Sequence, residues 1–173
     1  PAFEEALLLG GDYDISGNNL GVMFIQRRQF AQAESVMTLA IAHLPDQSVS
    51  IYQNLAAAMI DNGQLAPAES VIVAYEKAHG VVDAMEVYRS GVLYAEGHVD
   101  SARAIVTRMQ ASPNLQYRAR AYYVDAGFDE MHGQLGAAIR TFDQARATNR
   151  ALGAFTPLLG DSLEPVLFDA WFR

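Results

Sequence analysis

An all-α fold, built from antiparallel helix hairpins repeated four times, is what the sequence predicts, and three observations predict it. Ala33, Ala68, Ala102 and Ala138 recur at intervals of 35, 34 and 36 residues. An apolar residue stands three positions before each (Phe30, Leu65, Val99, Leu135) and another four positions after it (Met37, Ile72, Val106, Phe142), which is the stripe of an amphipathic helix. Five positions before the alanine comes Gly63, Gly97 or Gly133, with Arg28 in the first copy, so a turn opens each of these helices. The composition agrees: half of the 173 residues are apolar, enough for a sizeable core, and the abundance of Ala, Leu, Gln, Arg and Glu favours helix over strand.

Each unit divides into two helices in order. The first, over 14–48, carries Leu20-Gly21 and Phe24 on one helix and Ala33, Met37 and Ala40 on the next, and closes at Pro45. The second, 49–82, repeats this with Leu55, Ala56, Met59, Gly63, Leu65, Ala68 and Ile72, but has Tyr75 in the second alanine slot and Gly80 instead of proline. The third, 83–117, keeps Ser90, Leu93, Gly97, Val99, Ala102 and Val106, with Arg89 in the leucine slot. The fourth, 118–151, keeps Ala126, Gly133, Leu135, Ala138, Phe142 and Ala145. Small residues (Gly21, Ala56, Ser90, Ala126) recur where the first helix must approach the second, and a larger side chain there would cost roughly 1–3 kcal/mol in overpacking. Residues 1–13 read as a short N-terminal helical segment. Asp161-Ser162-Leu163-Glu164 starts a C-terminal helix over 158–173 that caps the last unit, or joins another copy through Phe168, Trp171 and Phe172.

This pattern resembles the tetratricopeptide repeat (TPR), whose signature is a Leu-Gly pair, an aromatic three residues on, then Ala, Phe, Ala and Pro. The resemblance covers roughly residues 14 to 151; no copy has the tryptophan of the signature, and the first helices of the third and fourth copies are degenerate. It implies a TPR-type α-solenoid, a right-handed superhelix of four repeats plus a C-terminal helix, forming a single domain over 1–173. A hairpin cannot bury its apolar face alone, so neighbours must stack, which gives a curved rod with a concave groove.

The resemblance also implies which residues line that groove, on the first helix of each unit. They are Asn18, Asn19, Val22, Ile25 and Gln26 in the first and Gln53, Asn54, Ala57, Ile60 and Asp61 in the second. Val87, Tyr88, Gly91, Tyr94 and Ala95 follow in the third, and Tyr123, Val124, Gly127 and Glu130 in the fourth. Asn19 and Asn54 share one slot, where an amide can both donate to and accept from a peptide backbone. Tyr88, Tyr94 and Tyr123 offer flat amphipathic surface, and Ala57, Gly91 and Gly127 leave room beside it. The same tyrosines equally suit packing between helices, and the asparagines a hydrogen bond between repeats. The carboxylate clamp of chaperone-binding members is absent: Ala84 and Tyr88 stand where it needs bases, so Asp61 and Glu130 fit a neutral or basic ligand better.

The expected function is therefore a non-catalytic adaptor that holds a protein or peptide partner, or a sensory or docking module of a larger bacterial signalling or secretion protein. A net charge of −8 opposes nucleic-acid binding. No run reaches the length of a membrane span. Cysteine is absent, which excludes disulfides and thiolate metal sites and leaves a soluble chain with its compartment, cytoplasmic or periplasmic, open. The chain begins at Pro1 with neither an initiator Met nor a secretory h-region, as a processed or excised piece would.

Asp12, Asp14, Ser16 and Gly17 imitate a calcium loop, but Met23 occupies the place of its bidentate glutamate and Asn18 to Arg27 belong to the first repeat helix, whose N-terminus the acids cap, so no metal and no cofactor is expected. His43, His79, His98 and His132 are scattered, each near a helix end, and no nucleophile elbow, phosphate loop or metalloprotease motif accompanies them. An enzyme built from scattered Ser, His and Asp is the alternative from another class.

Overall fold

A computed structural model describes residues 13–43 and 49–151, and these form eight α-helices with no strand among them. The helices are α1 (Tyr13–Gln26), α2 (Phe30–His43), α3 (Val49–Asp61), α4 (Leu65–His79), α5 (Asp83–Ala95), α6 (Val99–Gln110), α7 (Leu115–Met131) and α8 (Leu135–Ala151). Apart from Tyr13, the N-terminal segment lies outside the described residues, as does the expected C-terminal helix over 158–173. The chain divides into two compact units between Tyr88 and Arg89, inside α5.

In the first unit the hairpins α1–α2 and α3–α4 close through the same backbone turn. Arg28 N–H donates to the Ile25 carbonyl (2.8 Å) and Gln29 N–H to that of Phe24 (2.9 Å). Gly63 N–H donates likewise to Ile60 (2.9 Å) and Gln64 N–H to Met59 (2.8 Å). These paired bonds satisfy the last carbonyls of the first helix and need a left-handed residue at the second-last turn position. Gly63 supplies it with φ +74°, and Arg28 adopts φ +57° despite its side chain. The next residue then starts the second helix, since the Gln29 and Gln64 carbonyls accept from the N–H groups of Ala33 and Ala68 (both 3.1 Å). Pro67 falls in the first turn of α4, where its missing N–H costs nothing.

The second unit repeats the device. Gly97 and Gly133 hold φ +87° and +73°, and His98 and Gln134 donate back to Leu93 and Asp129 (both 2.8 Å). The long α7 begins three residues ahead of 118, because Asn114 caps it by accepting from Gln116 N–H (2.9 Å) and Tyr117 N–H (3.5 Å).

Packing follows the small-residue pattern. All four marker alanines are buried, together with Met37, Ile72 and Val106 four residues on and with Ala56, Ser90 and Ala126 on the first helices. Gly21 is the tightest approach: a Cβ there would stand 2.7 Å from Met37 Cγ and closer still to the end of that side chain. Gly17 lies against Ala40 in the same way. Tyr75, in an alanine slot, packs its ring 4.9 Å from Tyr52 and 4.4 Å from His79.

The residue after two of the marker alanines, Ala33 and Ala102, reaches forward to the next hairpin. Glu34 accepts from Asn62 and Gln64 in the following turn, and Arg103 pairs with α7. In the fourth hairpin that slot holds Ile139, which is 62% exposed, beside Leu135 at 61%; no described hairpin follows it. Leu135 thus departs from the half-buried Phe30, Leu65 and Val99 in its own slot.

Candidate functional site

The candidate groove residues of the first unit lie on α1 and α3, two helices that pack side by side. On α1, Asn18 and Val22 are half-buried while Asn19 and Gln26 are exposed. On α3, Gln53, Asn54 and Asp61 are half-buried and Ala57 is buried. Residues 54, 57 and 61 fall on one face of α3 by helical spacing.

Asn54 Nδ2 donates to Asn18 Oδ1 at 2.9 Å, across 36 residues of sequence. The structure therefore pairs Asn54 with Asn18 and leaves Asn19 on the surface. Two amides joined by one bond keep further donors and acceptors, since each side chain can donate two hydrogen bonds and accept two. Gln53 is tied differently, donating from Nε2 to the Ala84 carbonyl at 2.8 Å.

Asp61 ends α3, the terminus at which the helix dipole disfavours an anion. Both of its carboxylate oxygens are sealed from solvent, and neither accepts a hydrogen bond. Burial pushes its carboxyl up to about 7, against the opposing field of Arg28. Arg28 makes no bond to it; its guanidinium lies 5.9 Å over the Phe30 ring. Arg28 escaped the groove assignment, although its presence in a glycine slot was visible in the sequence.

Among the candidates on α5, Tyr88 and Gly91 are buried and Tyr94 is half-buried. In the second unit the Tyr94 ring stacks on Phe128 (centroids 4.0 Å, planes 6° apart). Its hydroxyl meets His132 Nδ1 at 2.9 Å, and that nitrogen also lies 2.8 Å from the Phe128 carbonyl. Burial raises the phenol, Arg103 opposes the shift and Asp129 adds to it, so Tyr94 stays protonated and serves as a packing and hydrogen-bonding group. Tyr123 is half-buried, accepts from Asn149 Nδ2 at 3.3 Å and packs edge-on to Phe142.

Beside Tyr94, Arg103 forms a two-armed ion pair with Asp125 (2.8 Å) and Asp129 (2.7 Å), one helical turn apart on α7. Gln110 donates to the other oxygen of Asp125 at 2.9 Å. This network was not among the sequence candidates; its only trace there is the i, i+4 spacing of the two aspartates facing a lone arginine after a marker alanine.

His43 repeats the geometry of His132, its Nδ1 2.9 Å from the Leu39 carbonyl one turn back, and His79 stacks on Tyr75. Three of the four histidines are thus held at helix C-terminal ends, while His98 precedes α6 without a side-chain cap bond. Among the described residues no three His, Cys, Asp or Glu side chains gather as a metal site, and Asp14, Ser16 and Gly17 of the calcium-like stretch lie within α1. No helix of the described residues is long and apolar enough to cross a membrane.

Comparison with protein-family models, with characterised proteins and with solved structures gives no match for this chain.

Proposed function

We propose that the chain is a TPR-type helical-repeat adaptor that binds an extended peptide or protein segment along the first helices of its hairpins, without catalysing a reaction. The observation that carries this reading is the Asn54–Asn18 amide pair on adjacent first helices. A half-buried amide ladder with spare donors and acceptors suits the regularly spaced N–H and C=O groups of an extended backbone. Each added bond would contribute about 0.5–1.5 kcal/mol net. Asn19, Val22 and Gln26 extend the same surface along α1, and Asp61 ends it on α3. Ala57, Tyr88 and Gly91 are buried, whereas Tyr94 and Tyr123 keep partly exposed edges of their own.

The test is selection of random twelve-residue peptides displayed against the intact chain, followed by binding measurements on the Asn18→Ala/Asn54→Ala double variant. Selected peptides that bind the parent and lose about tenfold in affinity to the variant, at similar helicity, support the reading. An empty selection, or peptides indifferent to both amides, rejects it.

A further inference from the structure

In the second unit, α8 presents an apolar face with a basic end. Leu135 and Ile139 are exposed, although the slot of Leu135 is half-buried in the three earlier hairpins. The slot of Ile139 is the one from which Glu34 and Arg103 reach the hairpin that follows theirs. Half-buried Phe142 and exposed Arg146 and Arg150 continue the line. By helical spacing the five residues fall within about a quarter-turn of the α8 surface. The face is thus apolar towards the start of α8 and cationic towards its end. No carboxylate among the described residues forms an ion pair with Arg146 or Arg150. An apolar patch with a charged border, on the last hairpin of a stack, has the character of an interface.

The sequence that follows supplies a complement. Residues 158–173 carry Asp161, Glu164 and Asp169 against Arg173 as the one base. Glu164, Leu167, Phe168 and Trp171 stand at i, i+3, i+4 and i+7, the spacing of one helix face, with the carboxylate first and the aromatics last. Laid antiparallel on α8, this order sets acid against base and apolar against apolar. Laid parallel, it sets Glu164 against Leu135 and Trp171 against the arginines. The charge pattern therefore selects the antiparallel direction, which a short connection also favours.

We propose that residues 158–173 dock in cis as an amphipathic helix antiparallel to α8, with Glu164 paired to Arg146 and with Phe168 and Trp171 covering Ile139 and Leu135. Only residues 152–157 separate Ala151 from this segment, so the tether keeps it at a high effective concentration over the face. A second copy of the chain, the competing occupant, has no such advantage. The inference is independent of the peptide-binding reading, which concerns other helices.

Trp171 is the single tryptophan of the chain, so its fluorescence reports directly on this contact. Emission wavelength and acrylamide quenching are measured on the full chain and on a synthetic peptide of residues 158–173, with the oligomeric state followed by sedimentation over the same concentrations. The expected result is a monomer in which Trp171 emits to the blue of the peptide and is shielded from acrylamide. The Leu135→Glu/Ile139→Glu variant should move both readings towards those of the peptide. Arg146→Glu should do so in part, and adding Glu164→Arg to it should restore the shielding. Far-UV circular dichroism checks that each variant keeps its helices; the Arg146→Glu and Glu164→Arg variants leave the apolar contact intact and test the docking even if the double glutamate variant unfolds.

Trp171 as accessible in the full chain as in the peptide overturns the inference, as does shielding that survives Leu135→Glu/Ile139→Glu in a folded variant. Failure of Glu164→Arg to restore Arg146→Glu overturns the antiparallel pairing. Shielding that appears only in a dimer assigns the α8 face to a second copy and overturns docking in cis.

Discussion

Arg28 holds φ +57° in the turn position where Gly63, one hairpin later, holds +74°. The two turns make the same pair of backbone hydrogen bonds, so the fold imposes a left-handed residue there whatever the side chain. For a residue with a Cβ this conformation costs roughly 1–2 kcal/mol. A Cβ at Gly63, Gly97 or Gly133 would meet nothing within 4 Å, so the cost of filling those positions is conformational and not steric. Gly97→Ala and Gly133→Ala should each destabilise by about 1 kcal/mol, and Arg28→Gly should stabilise or leave stability unchanged. Urea unfolding of the three variants checks this; a stabilising Gly97→Ala would contradict the turn geometry.

Gly21 and Met37 should behave as a coupled pair. Gly21→Ala places a Cβ against the Met37 side chain and should cost about 1–2 kcal/mol by overpacking. In a Met37→Ala background, itself destabilised by a cavity, the further cost of Gly21→Ala should shrink or reverse, because neighbours in contact are non-additive. A double-mutant cycle by chemical denaturation measures the difference, and strict additivity would deny the contact.

Asp61 makes stability depend on pH in a stated direction. Its folded pKa of about 7 lies above the ordinary 3.8, so the unfolded chain releases this proton more readily than the folded one. The contribution of Asp61 is therefore fully present below about pH 4 and is lost as pH rises through about 7. Melting temperatures should fall between pH 5 and pH 8.5, and Asp61→Asn should flatten that fall and stabilise the protein at the alkaline end. A variant melting lower than the parent at pH 8.5 would show that the carboxylate is satisfied.

In the second unit, Arg103→Met should destabilise by about 2 kcal/mol, since it strands Asp129, which is buried, and removes a partner of Asp125. Adding Asp129→Asn should recover part of the loss. Equal stability of Arg103→Met and the parent would make the ion pair dispensable.

The sequence alone made the helical class, the spacing of the turns and the small-residue contacts legible. These depend on local chemistry: glycine at a left-handed turn residue, apolar side chains at helical spacing, and alanine where two helices meet. Even the exception at Arg28 could be located by counting back from Ala33. The groove candidates were less legible. Asn19 and Asn54 share a slot by register, yet Asn54 bonds to Asn18, because the partner is chosen by the neighbouring helix and not by the repeat. Tyr88 and Tyr94 look alike in sequence, but one is buried and the other half-exposed.

The sequence by itself determined that this protein is helical, that its helices come in pairs and where each pair turns, since those properties are set within a few residues by hydrogen bonding and sterics. Only the tertiary structure decided that the Asp61 carboxylate has no donor, that Arg103 grips two aspartates and that Ile139 stands exposed. Desolvation and pairing depend on which atoms other helices bring within a few ångströms, and residue spacing along one helix carries no record of that.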